Sequence, residues 1–305
     1  NLGHDVPPKL IPTIDRMYPA LRFFRHQDGD LALFNGATST PASELMSVLR
    51  YDETGGKPFK SLPHGNYQRL AANGVTIIVD TGKPLSPDLS HKAHAGCLSF
   101  EMSSARHRFI VNCGAPKFAG RDYHQVARST AAHSTVTLNE TSSSRFLRSH
   151  FCGASILASA NPGEVERSAD QHGADWLRAV HDGYLREFGY LHEREIGLSS
   201  TGSKIKGHDR LFAPEGGRVP DGRAVAEARF HIHPTISLSR QDQESVLMVA
   251  PDGEAWHFSA PGLAIAIEQD IFFADASGLR QSQQIVIAFS PPDVAEIRWM
   301  LKRME

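Results

Sequence analysis

The sequence predicts an all-β protein, an antiparallel multi-stranded β-sandwich of layered sheets with a short helical segment at its N-terminus. Three observations carry this. Strand-length runs of β-branched and aromatic residues recur from residue 21 onward, Gly, Asp, Asn or Pro separates them, and no long amphipathic helix intervenes.

The only stretch that reads as helix comes first, where Leu10, Ile14, Met17 and Leu21 recur at the spacing of one helix face. Pro12 and Pro19 are expected to keep it short. From "LRFFRHQDGDLALFNG" the period changes to that of strands. In "YQRLAANGVTIIVDTG" the pair Asn73-Gly74 stands between two strand-like runs, a combination that tolerates the positive φ angles of a tight hairpin. "LSFEMS", "RFIVNCG", "STVTLNE", "REIGLSSTGSKIKGHDRL", "ARFHIHPTISLS", "SVLMVAPDGEAWHFSA", "LAIAIEQDIFFAD" and "QQIVIAFS" continue the pattern. The Ser/Pro/Gly-rich stretches 36–44 and 213–223 are only loop-length, and no fixed period repeats.

A chain of 305 residues can bury a large core, as one big β domain or two ordinary ones. Its 32 basic and 34 acidic residues give a net charge of −2, so an anionic partner must be held by a local patch. Near-neutral charge without an interleaved aromatic and basic stripe argues against nucleic acid. Cys97, Cys113 and Cys152 form neither a disulfide framework nor a CxxC ligand set. No run of about 18 apolar residues is present, so no membrane partner is expected, and "NLGHDVPPKL" lacks the layout of a signal peptide. The initial Asn suggests a processed or truncated product.

Walker, G-x-G-x-x-G, G-x-S-x-G and H-E-x-x-H patterns are all absent, which disfavours nucleotide and common hydrolase chemistry. What stands out is a concentration of polar residues beside strands: Lys92, His94, Asn112, Arg121, Tyr123, Arg128 and His133. "KAHAGCLSFEM", then "FIVNCG", then "RDYHQVARSTAAHSTV" resemble the heparinase II/III family of polysaccharide lyases in its C-terminal β-sandwich portion. "GNYQRLAANGVTIIVDTG" upstream and "HDGYLREFGYLHEREIGLS" with "GHDRL" downstream extend the likeness over residues 20–300. The resemblance implies two parts: residues 1–25 as the remnant and linker of a helical α/α toroid, and residues 26–305 as the sandwich domain.

It also implies β-elimination in an acidic, uronic-acid-containing polysaccharide such as a glycosaminoglycan. A base removes the C5 proton, a cationic or hydrogen-bonding group neutralises the adjacent carboxylate, and an acid protonates the departing O4. By position in the motifs, His94 and His133 match zinc ligands, and Asn112 stands where the third ligand is Asp, which leaves the charge of Zn2+ uncompensated. Lys92 replaces an active-site His and is suited to pairing with a uronate; Gly96 replaces the closing Asp of the motif. Tyr123 is the expected proton-transfer residue, together with Lys92 and Arg128 as catalytic candidates. Arg121, Arg128 and Lys92 are the expected substrate contacts. The plainer readings are a packed ring for Tyr123 and a loop-fixing salt bridge for Arg128.

His231 and His233 share a strand face but lack an evident third ligand, so a solvated or core-edge pair is expected. Cys113, next to Asn112, should face away from the site, Cys97 is expected to be buried, and His181, Tyr184 and "WHF" at 256–258 read as structural. Because the family's cleft lies between toroid and sandwich, the expectation is a lyase-like protein whose sandwich alone turns over little or no substrate. The alternative is a non-catalytic acidic-glycan-binding or structural relative. Cell envelope or periplasm is the expected location, following the substrate; oligomeric state, including a homodimer, stays open.

Overall fold

The computed structural model describes residues 7–52, 55–83, 86–147, 155–217, 219–291 and 293–305, so Cys152 lies outside the described residues. Two large antiparallel sheets make the sandwich. In the first, strands run in the order Ser61–Leu62, Tyr67–Ala72, Val75–Asp80, Phe100–Ser104, His107–Val111, Ala226–Ile232, Gly278–Phe289 and Ile265–Asp275, with Val136–Leu138 also pairing to Ala226–Ile232. In the second the order is Ser237–Arg240, Ser245–Val249, Ala255–Ser259, Glu296–Arg303, Lys204–Phe212, Leu191–Leu198, Asp175–His181 and Glu166–Ala169. The Asn73-Gly74 expectation holds: Ala72 pairs with Val75, and both turn residues have positive φ, 42° and 78°.

The core is built by period-two alternation. Phe100 and Phe230 of the first sheet meet Trp299 and Phe258 of the second, with Phe100 stacked on Trp299 at 5.4 Å and Phe230 edge-on to it at 5.0 Å. Trp299 fits because it pairs across strands with Gly207, where a Cβ would lie 2.0 Å from the indole. Trp256 and Phe258 are fully buried, as "WHF" predicts.

The inner faces also enclose a polar network. Asp209 accepts from Arg194 Nε at 2.7 Å, His192 Nε2 at 2.9 Å and Trp299 Nε1 at 2.9 Å. His181 Nε2 donates to His192 Nδ1 at 3.1 Å, because His181 Nδ1 already accepts from Gly183 N–H. Arg194 Nη1 donates to the carbonyls of Leu98 and Ser134 and so ties the two sheets together.

Helices depart most from the sequence reading. The first spans Leu10–Phe24, so neither proline stops it: Pro12 lies in its first turn, where its missing N–H matters little, and Pro19 is accommodated inside. The face read from Leu10 and Met17 is exposed, and the helix docks instead through Tyr18 and Phe23. Ala42–Leu49, Arg121–Arg128 and Leu185–Phe188 are further short helices where strands or loops were expected. Among the described residues no helix is long and apolar enough to cross a membrane.

Residues 18–34 cover the outer face of the first sheet. Phe23, Ala32 and Phe34 pack on Ile78, while His26 bridges Glu101 and Ser103 at 3.0 and 2.8 Å. Arg69 reaches the carbonyl of Phe23 at 2.6 Å. That face carries the candidate site.

Candidate functional site

His94 sits in the loop between strands Val75–Asp80 and Phe100–Ser104, and His133 follows a single helical turn, Thr130–Ala132, after helix Arg121–Arg128. The two segments are strapped together: Ala95 N–H donates to the Arg128 carbonyl at 2.9 Å, and Thr130 Oγ1 donates to the Ala95 carbonyl at 2.7 Å. His94 Nδ1 and His133 Nε2 therefore lie 3.2 Å apart, with their rings perpendicular. Nδ1 of His133 donates to the Ser129 carbonyl at 2.7 Å, which assigns its Nε2 as the acceptor and His94 Nδ1–H as the donor. Burial holds both imidazoles neutral at pH 7. It drives His133 down to about 4, with His231 adding to the effect, and holds His94 well below the usual range, with His133, Arg128 and His124 adding.

Gly96 is required here by close approach. A Cβ at this position would stand 2.7 Å from His133 Cδ2, so the aspartate of the family motif does not fit beside this ring. Asn112 is buried with both ends of its amide engaged: Oδ1 accepts from Ser134 N–H at 3.0 Å, and Nδ2 donates to Glu101 at 3.3 Å. Among the described residues no carboxylate or thiol joins the two imidazoles within ligand distance. As a zinc site, His94, Asn112 and His133 fall one anionic ligand short.

Arg128 is 4% exposed, and it clamps the loop rather than facing outward. Nε donates to the Ala93 carbonyl at 2.8 Å, Nη2 to the Ser90 carbonyl at 2.9 Å, and the guanidinium stacks 4.6 Å from the Phe146 ring. The loop-fixing role of the plainer reading is thus present, with backbone carbonyls in place of a carboxylate. Lys92, Arg121, Tyr123 and His124 are exposed along the rim, on the strapped loop and on the helix that holds it. Tyr123 lies on this helix and not at a strand end; its ring meets Phe273 edge-on at 6.3 Å.

Three residues missed in the sequence form a hydrogen-bonded chain that begins at His94. Asn35 Oδ1 accepts the His94 N–H at 3.1 Å, and Asn35 Nδ2 donates to the Tyr67 hydroxyl at 2.6 Å. Tyr67 in turn faces Asp80 at 3.5 Å. Burial pushes the Asp80 carboxyl up to about 7, against hydrogen bonds from Gly82 and Tyr67 that lower it. The signal for Asp80 was a lone carboxylate closing the otherwise apolar run "TIIVD". His231 and His233 part company: His233 Nδ1 bonds the Thr235 hydroxyl, while His231 lies against Cys113 and Asp270. Cys97 is buried, and Tyr184 is an inner strut whose hydroxyl donates to the Val136 carbonyl at 2.7 Å. A polar cavity of about 660 Å³, lined by Arg145, Asn161 and Asp182, borders the strap through Ser142 and Ser143.

Two large antiparallel sheets packed face to face define a β-sandwich of the heparinase type. The chain belongs to the family described as Heparinase II/III-like, C-terminal, whose model matches residues 54–300, and this relates it to polysaccharide lyases. It is 31% identical over 99% of its length to the FtsZ-localized protein C of Caulobacter vibrioides, and spans 54% of that protein. In fold it is similar to the heparan sulfate lyase HepC of Pedobacter heparinus (TM-score 0.72, 13% identity, 98% of this chain and 48% of that one). Heparinase III gives a TM-score of 0.71 at 12% identity, over 98% of this chain and 49% of that one. The chain thus spans about half the length of the relatives it matches.

Proposed function

We propose that this domain binds an acidic, uronic-acid-containing polysaccharide on the face formed by the 90–95 loop and helix Arg121–Arg128, and that it supplies the binding half of a lyase-like site. The observation that carries this reading is the division of labour among its cations. Arg128 is buried and fixes the loop, whereas Lys92 and Arg121 stand exposed on the two strapped segments. Exposed cations on a rigid base suit uronate carboxylates, which are held by charge and hydrogen bonding at little ordering cost. Beneath them, the neutral His94–His133 pair and the engaged Asn112 leave proton transfer to Tyr123 and to groups outside this chain. Isothermal titration with heparan sulfate, chondroitin and alginate oligosaccharides tests binding; an ultraviolet assay for the unsaturated product, on the same samples, tests turnover. The reading expects binding that weakens about tenfold in Lys92→Ala and in Arg121→Ala, with turnover slow or nil. Affinity indifferent to both substitutions would overturn it.

A second reading has a specific observation in its favour, since the relative at 31% identity carries the name of an FtsZ-localized protein and not of a lyase. On that reading the chain acts at the division site as a binding or structural module, without turnover. A fluorescent fusion separates the two: a mid-cell band supports division-site localisation, and an even signal in the cell envelope supports placement with the polysaccharide alone.

A further inference from the structure

We propose that Cys113, His231 and Asp270 form a binding site for a thiophilic divalent metal ion of the Zn2+ class, separate from the His94–His133 pair. The three residues come from distant parts of the chain and meet on the outer face of the first sheet. Cys113 lies just beyond strand His107–Val111, His231 in Ala226–Ile232, and Asp270 in Ile265–Asp275. Cys113 Sγ is 3.2 Å from His231 Nδ1, Asp270 Oδ2 is 2.7 Å from the same nitrogen, and Sγ is 3.6 Å from that oxygen.

The shape of this contact separates it from an ordinary hydrogen-bond relay. A relay through an imidazole uses both ring nitrogens, as His192 does between His181 and Asp209. At His231 the thiol and the carboxylate both converge on Nδ1, while Nε2 is buried without a hydrogen-bond partner. The three atoms form one compact triangle, an arrangement that a single shared ion can bridge. A tetrahedral zinc with sulfur at about 2.3 Å and nitrogen or oxygen at about 2.0–2.2 Å sets ligand atoms about 3.3–3.6 Å apart. The observed separations reach this range with side-chain shifts of well under about 1 Å.

Charge favours the same conclusion. A thiolate and a carboxylate with a neutral imidazole offset the whole charge of Zn2+, which His94, Asn112 and His133 leave uncompensated. The Cys113 thiol is 2% exposed, which shields it from reagents in solution. Asp270 is the member of the cluster that reaches solvent. Ser282 Oγ donates to Asp270 at 3.4 Å, Ser134 Oγ accepts the His231 N–H at 2.9 Å, and the Asp270 side chain is 15% exposed. Cys113 packs with Ala127, Ala132 and Phe273 beneath helix Arg121–Arg128, so the ion would pin the floor of the rim that carries Arg121 and Tyr123.

The test uses the whole chain, stripped of metal under reducing conditions and titrated with Zn2+ against a chromogenic chelator, then with Co2+. One ion per chain is expected, with a thiolate-to-cobalt charge-transfer band in the near ultraviolet. Cys113→Ser and Asp270→Asn should each weaken Zn2+ binding by at least about 100-fold, the upper end of what changes outside the ligand shell cost. His94→Ala should leave it unchanged, and circular dichroism verifies that the variants fold. Absence of the thiolate band in the unsubstituted chain, which requires no variant, overturns the proposal. So does binding that survives Cys113→Ser but is lost in His94→Ala. Neither result bears on the glycan-binding reading, which titration with polysaccharide tests separately.

Discussion

Among the described residues two histidine pairs are built alike, one closed by its hydrogen bonds and one left open. In the sandwich interior, His181 and His192 form a closed chain that starts at Gly183 and ends on Asp209, with Arg194 and Trp299 completing the carboxylate's partners. At the outer face, His94 and His133 meet at nearly the same separation, but the chain stops: His94 Nε2 has no hydrogen-bond partner among the described residues. A closed network fixes the spacing of two sheets. An open one, with cations on its rim, leaves something for a ligand to complete. The two pairs differ in where the hydrogen-bond chain ends, and on the proposed reading the open end is the one a ligand completes.

The largest effect should come from breaking the closed network. Asp209→Ala strands the buried Arg194 guanidinium and should cost about 3–5 kcal/mol by urea denaturation, against little change for removal of the open end in His94→Gln. Next comes the clamp. Arg128→Ala removes two charged hydrogen bonds to the 90–93 loop and should cost about 2–3 kcal/mol, with faster amide exchange confined to that loop. Gly96→Ala drives a methyl into the His133 ring and should cost about 1–3 kcal/mol, read from the denaturation midpoint.

A pH series sharpens the comparison. Burial holds His181 and His192 below their ordinary range in the folded chain, so the unfolded chain takes up protons first as pH falls. Their stabilisation is complete above about pH 6.5 and is lost progressively below it, by about 1.4 kcal/mol per pH unit per group. His181→Gln should flatten the slope of stability between about pH 6.5 and 5 by that amount. The smallest stability effect belongs to Arg121→Ala, within about 0.5 kcal/mol, because the residue is exposed; its effect should appear in polysaccharide affinity instead.

Much of the fold was legible. Strand runs such as "VTIIVD" and "SVLMV" carry their own period and turn chemistry, and Asn73-Gly74 announced its hairpin. Helix Arg121–Arg128 was not, because its eight residues are largely polar and bury only Ala127 and Arg128, which leaves no apolar stripe to read. The pairing of His94 with His133 followed from motif likeness and a loop-fixing Arg128 was one of the readings, but its partners were not legible, since main-chain carbonyls have no signature in sequence. Alternation alone turned Cys113 away from the site, but the chain leaves the strand at Val111, and the thiol stays on the outer face beneath helix Arg121–Arg128. Nor could alternation show that residues 118 and 157 positions further on would meet the thiol, a matter of strand order. That a side chain does not fit at position 96 likewise needed the position of the His133 ring.

Hydrogen–deuterium exchange with and without a uronic-acid oligosaccharide tests the central claim most directly, because it reads both histidine networks in one experiment. The account predicts slowed exchange at residues 90–95 and 121–133, with none at 192–198 or 204–212. Protection at the polar cavity around residues 142–145 and 182–187, with the 90–95 loop unaffected, would contradict it.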